Sequence, residues 1–267
     1  MPLTLPASLS PSKVAAFTSC GLAFRFSVID RLPEAPSVAA ARGTVVHRAL
    51  ELLYCLAPAE RTLDAALASL ADSGTEVLAT AEYADLALED PGAFMVEAEQ
   101  LVRRYFELED PAAVTPIGIE LLMEAEVGGV RMRGIIDRLE LDADGELVVT
   151  DYKTGRAPAE RFERGRLGGV HFYAYLCEAV FGRRPARVQL LYLADPVAIV
   201  CTPSQQSTRG LERKVGAIWA AVERACLRDD FRPNPGRLCE WCSFKAYCPA
   251  FGGDPEAARP LAEPLSA

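Results

Sequence analysis

Two aspartates and a lysine on neighbouring stretches of β-type sequence are the residues best suited to chemistry. Asp137 lies within Gly134–Arg138, and Asp151 and Lys153 open the stretch Asp151–Gly155. Carboxylate oxygens are the ligands that Mg²⁺ and Mn²⁺ prefer, and a lysine can stabilise charge on a phosphate or orient a water. An Asp-x-Lys alone is more often a surface salt bridge beside a turn. Together the three residues indicate metal-assisted phosphodiester hydrolysis, provided that the fold brings them together.

A predicted β-hairpin positions these groups. Val130–Leu141 and Leu147–Lys153 are rich in β-forming residues, and Asp142–Gly145 between them is a strong turn signal. Asp151 and Lys153 are two residues apart, so their side chains leave the same face of the strand. A buried Asp or Lys is costly unless it is paired or coordinates a metal.

The rest of the chain predicts an α/β fold, with a mixed central sheet flanked by helices and a helical insertion on one side. We expect one domain over residues 1–251, with a helical part at about 10–110, a core at about 116–200 and a C-terminal helix and cysteine segment at about 204–250. Residues 252–267, rich in proline, are expected to be a disordered tail. Helices are predicted from Ser10-Pro11 towards Cys20, from Ser37 to about Leu56, through 62–108 with breaks at 72–74 and 91–92, and over Val170–Phe181 and Ser207–Leu227; further strands are predicted over Glu120–Val127 and Val188–Ala194.

Three closely spaced cysteines near the C-terminus predict a metal centre. They are Cys239, Cys242 and Cys248, with two and five residues between them. In a chain without the features of a small secreted scaffold, such spacing favours metal binding over disulfides. The spacing alone allows either zinc or an iron–sulfur cluster. The cysteines expected to be ordinary buried thiols are Cys55, Cys177, Cys201 and Cys226.

In their order along the chain, these motifs resemble those of the PD-(D/E)xK nuclease superfamily. The resemblance is to its RecB-like and CRISPR adaptation-nuclease branch of iron–sulfur exonucleases, and it covers nearly the whole chain. It implies a restriction-endonuclease-like nuclease core with a C-terminal Fe–S cluster segment. The stretches that carry it are Leu9–Lys13 with Phe17 and Cys20, Gly43–His47, Gly134–Arg138, Asp151–Gly155 and the three cysteines.

The resemblance also implies a role for each motif residue. His47, Asp137 and Asp151 would be ligands of Mg²⁺ or Mn²⁺, together with the backbone carbonyl of Tyr152. Asp137, Asp151 and Lys153 would be the catalytic residues. Cys20 would join Cys239, Cys242 and Cys248 in holding a [4Fe–4S] cluster, with Zn²⁺ as the alternative occupant.

One departure from the family pattern concerns the helix after the lysine. Relatives usually place a glutamine four residues before a tyrosine; here His171 stands in the glutamine's place and Tyr175 in the tyrosine's. We expect both residues and Arg156 to contact the substrate. Carboxylates that could join the site are Glu51, Glu120, Glu124 and Glu126.

The overall charge bears on the partner. A net charge of −9 argues against a protein covered with DNA-binding surface. Many of the acids lie in 76–126, however, so a local groove can still be positive. Its candidate residues are Arg156, Arg161, Arg164, Arg166, Arg183, Arg184 and Arg187.

These observations predict a metal-dependent DNA exonuclease acting on single strands or strand ends in repair or recombination. A helicase or a recombination or CRISPR protein could be its partner, because the chain has no nucleotide-binding P-loop of its own. The alternative is a non-catalytic or partner-dependent Fe–S DNA-binding module of the same fold. A third reading is a zinc protein with an unrelated hydrolase site. No membrane-length apolar stretch or signal pattern is found, so a soluble, cytoplasmic protein is expected.

Overall fold

The computed structural model describes residues 3–158 and 168–262, and the chain divides into two compact units. The cysteine unit comprises Met1–Ala35, Glu124–Gly134 and Arg209–Ala267, and the sheet unit comprises Pro36–Met123 and Ile135–Thr208. The interpretation of residues 1–251 as one nuclease domain, with the subdivisions given above, stays a prediction.

The predicted mixed sheet is present in the described residues and has five strands rather than the four expected. Strand order follows the chain; β2 and β3 are antiparallel, β3 and β4 are parallel, and β4 and β5 are antiparallel. In the parallel pair, the strand that carries Asp151 lies beside a strand that is preceded by a helix in the chain. The strands are β1 (Thr115–Val127), β2 (Val130–Leu141), β3 (Leu147–Lys153), β4 (Arg187–Tyr192) and β5 (Val197–Cys201).

The strand predictions differ from the structure at the two edges of the sheet. β2 and β3 have the predicted bounds, but β1 begins at Thr115 rather than Glu120. Sequence reasoning missed β5, which pairs Val197 with Tyr192 and Cys201 with Val188. A five-residue strand is too short to show a clear alternation, so its pairing with β4 is what identifies it.

The helices begin at side-chain caps that the sequence contains. The hydroxyls of Ser10, Ser37 and Thr62 and the carboxylate of Asp90 each accept a hydrogen bond from the backbone N–H three residues on. Proline follows two of these caps, where its missing N–H costs no hydrogen bond. The helices are α1 (Pro11–Ser19), α2 (Gly21–Phe24), α3 (Val38–Tyr54), α4 (Leu63–Leu78), α5 (Pro91–Leu108), α6 (Gly168–Phe181) and α7 (Gln205–Arg228).

The predicted helix break at residues 72–74 is wrong. α4 continues through them, and the hydroxyl of Ser73 donates a hydrogen bond to the carbonyl of Ser69 within the helix. Gly74 packs against α5, where a Cβ would lie 2.8 Å from the sulfur of Met95. The glycine therefore permits close packing rather than ending the helix. The break expected at 91–92 is longer than predicted, because residues 79–90 are not helical and α5 begins only at Pro91.

Each unit has a core of its own. In the sheet unit, buried residues of α3, α4 and α5 pack together with Tyr152, Leu191 and Leu193 from the sheet region. In the cysteine unit, Phe24 and Phe26 pack with Val222, Phe231 and Phe244. The C-terminal segment of this unit is a series of short 3-10 helices, Arg237–Trp241, Lys245–Tyr247, Pro249–Phe251 and Pro255–Leu261.

The last of these helices corrects the expectation of a disordered tail from residue 252. Pro255–Leu261 is helical, and Ala258 is buried in the core of the cysteine unit. The only part of the predicted tail outside the described residues is 263–267. Within the described ranges, no helix is both long and apolar enough to cross a membrane.

Candidate metal site and cysteine cradle

Three side chains from three elements of the sheet unit converge on a candidate cation site. The ligand atoms of His47 on α3, Glu120 on β1 and Asp137 on β2 all lie within 4.8 Å of one another. Nδ1 of His47 is 3.6 Å from an oxygen of Asp137 and 3.9 Å from one of Glu120. Two carboxylates and an imidazole in this arrangement suit a divalent cation that completes its shell with water.

The predicted hairpin brings the second aspartate and the lysine beside this group. The backbone N–H of Tyr152 on β3 donates a hydrogen bond of 2.6 Å to Asp137 on β2. The residues on either side of Tyr152 are Asp151 and Lys153, whose side chains form an ion pair on one face of the strand. Asp151 is buried, whereas the side chain of Lys153 is 43% exposed and reaches solvent.

A glycine permits the helix that carries His47 to approach the end of β3. Gly43 lies one turn before His47, and a Cβ at this position would be 3.2 Å from the hydroxyl of Thr154. That distance is tighter than ordinary van der Waals contact. Gly43 and the residue after Lys153 are therefore in close contact, which explains why these two motifs belong to one site.

The backbone at Glu120 is strained. Its φ is +45°, in the left-handed region that non-glycine residues rarely adopt, although it lies inside β1. Such conformations cost on the order of 1–3 kcal/mol and are often found at functional sites. Glu124 and Glu126 on the same strand are not part of the cluster, because Glu124 pairs with Arg131 and Arg133 and Glu126 is exposed.

Burial and neighbouring negative charges raise the pKa values of two carboxyl groups in the site. Burial, followed by the carboxylates of Asp137, Glu51 and Asp151, raises the pKa of Glu120 to about 7. Burial and the neighbouring Asp151 raise the pKa of Asp137 to about 6, against the opposing effects of His47 and the Tyr152 N–H. A bound cation would relieve both effects.

The surroundings of Lys153 favour the protonated, positively charged form of its side chain. Burial acts to lower the pKa of Lys153, but the carboxylates of Asp151 and Asp137 outweigh it and the pKa lies above its usual value. Tyr173 on α6 is electrostatically coupled to the same carboxylates, because burial and then Asp151, Asp137 and Glu120 raise its pKa. Sequence reasoning missed Tyr173, since only Tyr175 matched a family position.

A buried arginine network supports the site. Arg138, next to Asp137 on β2, is fully buried and forms ion pairs with Glu109 and Glu140. It also donates a hydrogen bond of 2.7 Å to the hydroxyl of Tyr152. Its further hydrogen-bond acceptors are the hydroxyls of Tyr54, Tyr105 and Thr150.

Tyr152 links this network to the candidate site. Its hydroxyl accepts from Arg138, its backbone N–H donates to Asp137, and its ring contacts the imidazole of His47 edge-on at 5.9 Å between centroids. Sequence reasoning assigned only the carbonyl of Tyr152 a role, as a metal ligand, and that role stays a prediction. An arginine directly after a candidate metal-binding aspartate was the available signal for the network.

Other predicted site residues occupy different surroundings. Glu51 pairs with Arg48. Arg156 is exposed, while His171 and Tyr175 are half-buried on α6; their substrate contacts stay predictions. Arg161, Arg164 and Arg166 lie outside the described residues. Arg183, Arg184 and Arg187 pair with Glu146, Glu178 and Asp142, respectively, which weakens the case that they form a positive groove.

The four predicted cluster cysteines line one cavity of the cysteine unit. Cys20 follows α1, and the other three lie among the C-terminal 3-10 helices. The wall of the cavity is apolar and includes Leu22, Phe26 and Phe244. Backbone N–H groups point at the sulfurs, from Asn234 to Cys20 at 3.4 Å and from Gly236 to Cys239 at 3.3 Å.

The remaining cysteines divide into three kinds. Cys177 and Cys226 are buried, as predicted, and burial raises the pKa of both thiols. Cys201 on β5 is only partly buried. The prediction is wrong for Cys55, which is exposed because it follows the last residue of α3.

Comparison with known proteins gives one family and several relatives. The model of the PD-(D/E)XK nuclease superfamily matches residues 8–249. The Gene 69 protein of Mycobacterium phage D29 is 25% identical over 266 residues, covering 91% of this chain and 96% of its own length. The Gene 69 protein of Mycobacterium phage L5 is 29% identical over 136 residues, or 50% of this chain and 44% of that protein.

A solved structure shares the fold. It is a protein of Eubacterium rectale that its description provisionally calls an exonuclease, and it aligns with a TM-score of 0.58 at 13% identity. The alignment covers 97% of this chain and 91% of that one. At this identity the likeness concerns the fold alone, and it agrees with the mixed sheet and flanking helices described above.

Proposed function

Since the chain belongs to the PD-(D/E)XK nuclease superfamily, we propose that it is a divalent-metal-dependent deoxyribonuclease that removes nucleotides from single strands or strand ends. The observation that carries this proposal is the convergence of His47, Glu120 and Asp137 beside the Asp151–Lys153 ion pair. A role in DNA repair or recombination, with a helicase or a recombination or CRISPR protein as partner, belongs to the same proposal.

The donor set fits Mg²⁺ or Mn²⁺. Two carboxylates and an imidazole offer hard ligands, and the raised pKa values of Glu120 and Asp137 mark negative charge that lacks compensation. Asp151 and the Tyr152 carbonyl complete the proposed ligand set. When bound, such a cation polarises the phosphoryl oxygen and lowers the pKa of a coordinated water.

The chain's own groups supply orientation and charge. Lys153 keeps its proton, since the pKa of its ammonium is raised, and the ammonium can donate a hydrogen bond to a non-bridging phosphate oxygen. The ion pair with Asp151 fixes the direction of this donor. Tyr152 holds Asp137 through its N–H and the imidazole of His47 through its ring, so the ligands are oriented before substrate arrives.

The cysteine cradle is proposed to hold a [4Fe–4S] cluster. Hydrogen bonds from backbone N–H groups to Cys20 and Cys239, and an apolar wall, are features that stabilise cluster thiolates. Zn²⁺ is the alternative occupant of the same four thiolates.

The test of nuclease activity is cleavage of end-labelled single-stranded and duplex DNA by anaerobically purified protein, with Mg²⁺, Mn²⁺ or chelator. We expect metal-dependent release of short products from an end and resistance of circular single strands. Asp151→Asn and Lys153→Ala should each reduce the rate at least about 100-fold. The control is Arg103→Ala, which removes an exposed cation of α5 that pairs with Glu99.

The same experiment separates this proposal from the binding-only alternative. A folded, cluster-loaded protein that binds DNA but cleaves none with either cation would favour the non-catalytic or partner-dependent module. Iron content and visible absorbance of the same preparation test the cluster. Stoichiometric zinc without iron would overturn that part of the proposal alone.

A further inference from the structure

One face of α7 in the cysteine unit is cationic along most of its length. At 100° per residue, Arg209, Arg213, Arg224 and Arg228 fall within one 100° sector of the helix, and all four are exposed. From Arg209 to Arg228 the sector extends about 28 Å. Between the two pairs of arginines the sector contains Ala217 and Ala220, and Gly216 and Ala221 border it within about 20°.

These four arginines form no ion pair in the described part of the chain, where no carboxylate lies within 4.0 Å of their guanidinium nitrogens. The sheet unit behaves differently, because Arg42, Arg48, Arg103 and Arg183 each pair with a glutamate. Glu212 and Glu223 lie on the neighbouring side of α7 and border the cationic sector without pairing with it.

The C-terminal half of this arginine face forms part of the wall of a pocket. The pocket has a volume of about 340 Å³ and is lined by Arg224 and Arg228, by Phe17 and Gly21 from the N-terminal helices, and by the segment Asp230–Arg232. Asp230 is the acid in this lining, and both its oxygens accept hydrogen bonds from Arg232, at 3.1 and 3.0 Å.

The pocket wall is held by contacts of its own. The N–H of Leu22 donates to the carbonyl of Arg232 at 3.1 Å, and the rings of Phe24 and Phe231 stack at 6.5 Å. A Cβ at Gly21 would lie 3.3 Å from the same carbonyl. The glycine thus allows the two segments to approach closely, so the pocket is a property of the folded unit.

We propose that this arginine face of α7 and its pocket bind the sugar-phosphate backbone of single-stranded nucleic acid outside the metal site. The inference rests on the proposed nuclease function and adds to it a second, sequence-independent contact with the same substrate. Exposed guanidinium groups without a carboxylate partner are complementary to phosphates. The small residues between them let a backbone approach the helix, and the Phe17 wall gives an unpaired base or sugar an apolar contact.

The test is fluorescence anisotropy of a labelled 20-nucleotide single strand with Arg224→Gln/Arg228→Gln protein, in Ca²⁺ or chelator so that binding is measured without turnover. Each phosphate contact on a single strand contributes about 0.7 to the slope of log K against log salt. The double variant should therefore lower the slope by about 1.4 and weaken binding at low salt. Arg42→Gln/Arg103→Gln removes two paired arginines of the sheet unit and should leave the slope unchanged.

Each outcome decides between the two proposals. A wild-type protein that binds no nucleic acid overturns both. A wild-type protein that binds and cleaves, with equal salt slopes for the two double variants, overturns the arginine face alone. A loss of slope on duplex but not on single strands would also overturn the single-strand assignment. Equal melting temperatures for both variants would exclude unfolding as the cause.

Discussion

The two candidate sites differ in what holds them together. The carboxylate site is supported by the protein itself, through the Arg138 network, Tyr152 and the close approach of Gly43 to β3. The cysteine cradle consists of short 3-10 helices packed against a small aromatic core. A site that the fold has already organised should tolerate loss of its ion, whereas the cradle should depend on its occupant.

The units also differ in charge. The sheet unit contains 25 of the 37 acidic residues but 14 of the 28 Lys and Arg, so the acidic excess of the chain belongs to it. The cysteine unit is nearly balanced, and the four arginines of the α7 face are exposed without an ion pair among the described residues. The net charge of the whole chain therefore says little about where nucleic acid would bind, because the charges of acidic and basic regions cancel in the sum.

The largest effect is expected from breaking the cradle. Cys248→Ser should prevent binding of the proposed cluster and unfold the C-terminal segment, because the proposed cluster would join Cys20 to cysteines more than 200 positions away. Hydrogen exchange should show loss of protection in the cysteine unit while the core of the sheet unit stays protected. Cys55→Ser, which alters an exposed cysteine, is the control. If the Cys248→Ser protein retained iron and kept its amide protection in the cysteine unit, the cradle would not depend on its proposed occupant.

The next largest effect should come from the buried network. Arg138→Met leaves Glu109 and Glu140 without their common partner, and removing one member of a buried ion pair typically costs about 3–5 kcal/mol. Chemical denaturation monitored in the sheet unit should report this loss, with iron content unchanged. A matched surface change, Arg103→Met, should cost less than about 1 kcal/mol. Equal effects of the two substitutions would show that the network is not what supports the carboxylate site.

A smaller effect should appear in the pH dependence of the metal-free protein. The raised pKa values, about 7 for Glu120 and about 6 for Asp137, mean that the folded state binds more protons than the unfolded state between about pH 4 and pH 7. The contribution of these two carboxyl groups to the free energy of unfolding is therefore fully present below their pKa values in the unfolded state. It is lost as the pH rises through 6 to 7. Thermal unfolding in chelator should show a melting temperature a few degrees lower at pH 8 than at pH 5.

Glu120→Gln and added cation sharpen that measurement. The variant removes one of the two raised carboxyl groups, so the decrease in melting temperature with pH should be reduced. Mn²⁺ should raise the wild-type melting temperature more at pH 8 than at pH 5, because the ligands must lose their protons to bind it. A wild-type protein that becomes more stable from pH 5 to pH 8 in chelator would disprove the electrostatic account of this site.

The smallest effect is expected at Tyr173. Its phenol is influenced by Asp151, Asp137 and Glu120, yet in the described part of the structure it has no hydrogen bond to them. Tyr173→Phe should therefore lower the cleavage rate less than about tenfold, or about 1.4 kcal/mol, and leave Mn²⁺ affinity unchanged. A loss as large as that of Lys153→Ala would identify Tyr173 as a catalytic residue.

Local sequence signals predicted much of this protein. Ser10, Ser37 and the hairpin turn at 142–145 placed α1, α3, β2 and β3 correctly, because caps and turns act through the nearest few residues. The spacing of Asp151 and Lys153 placed both side chains on one face, since a strand alternates with period two. The family, too, was recognisable from the order of short motifs along the chain.

Tertiary structure decided what depends on residues distant in sequence. Of four candidate glutamates, only Glu120 joins His47 and Asp137, and a backbone turned to φ +45° places it there. A glycine in this position predicts a break in the helix. In the structure Gly74 instead allows α5 to pack closely against α4. Arg138 and Tyr152 connect α3, α5 and the sheet beneath the site. These outcomes depend on which elements pack together, and local propensity does not contain that information.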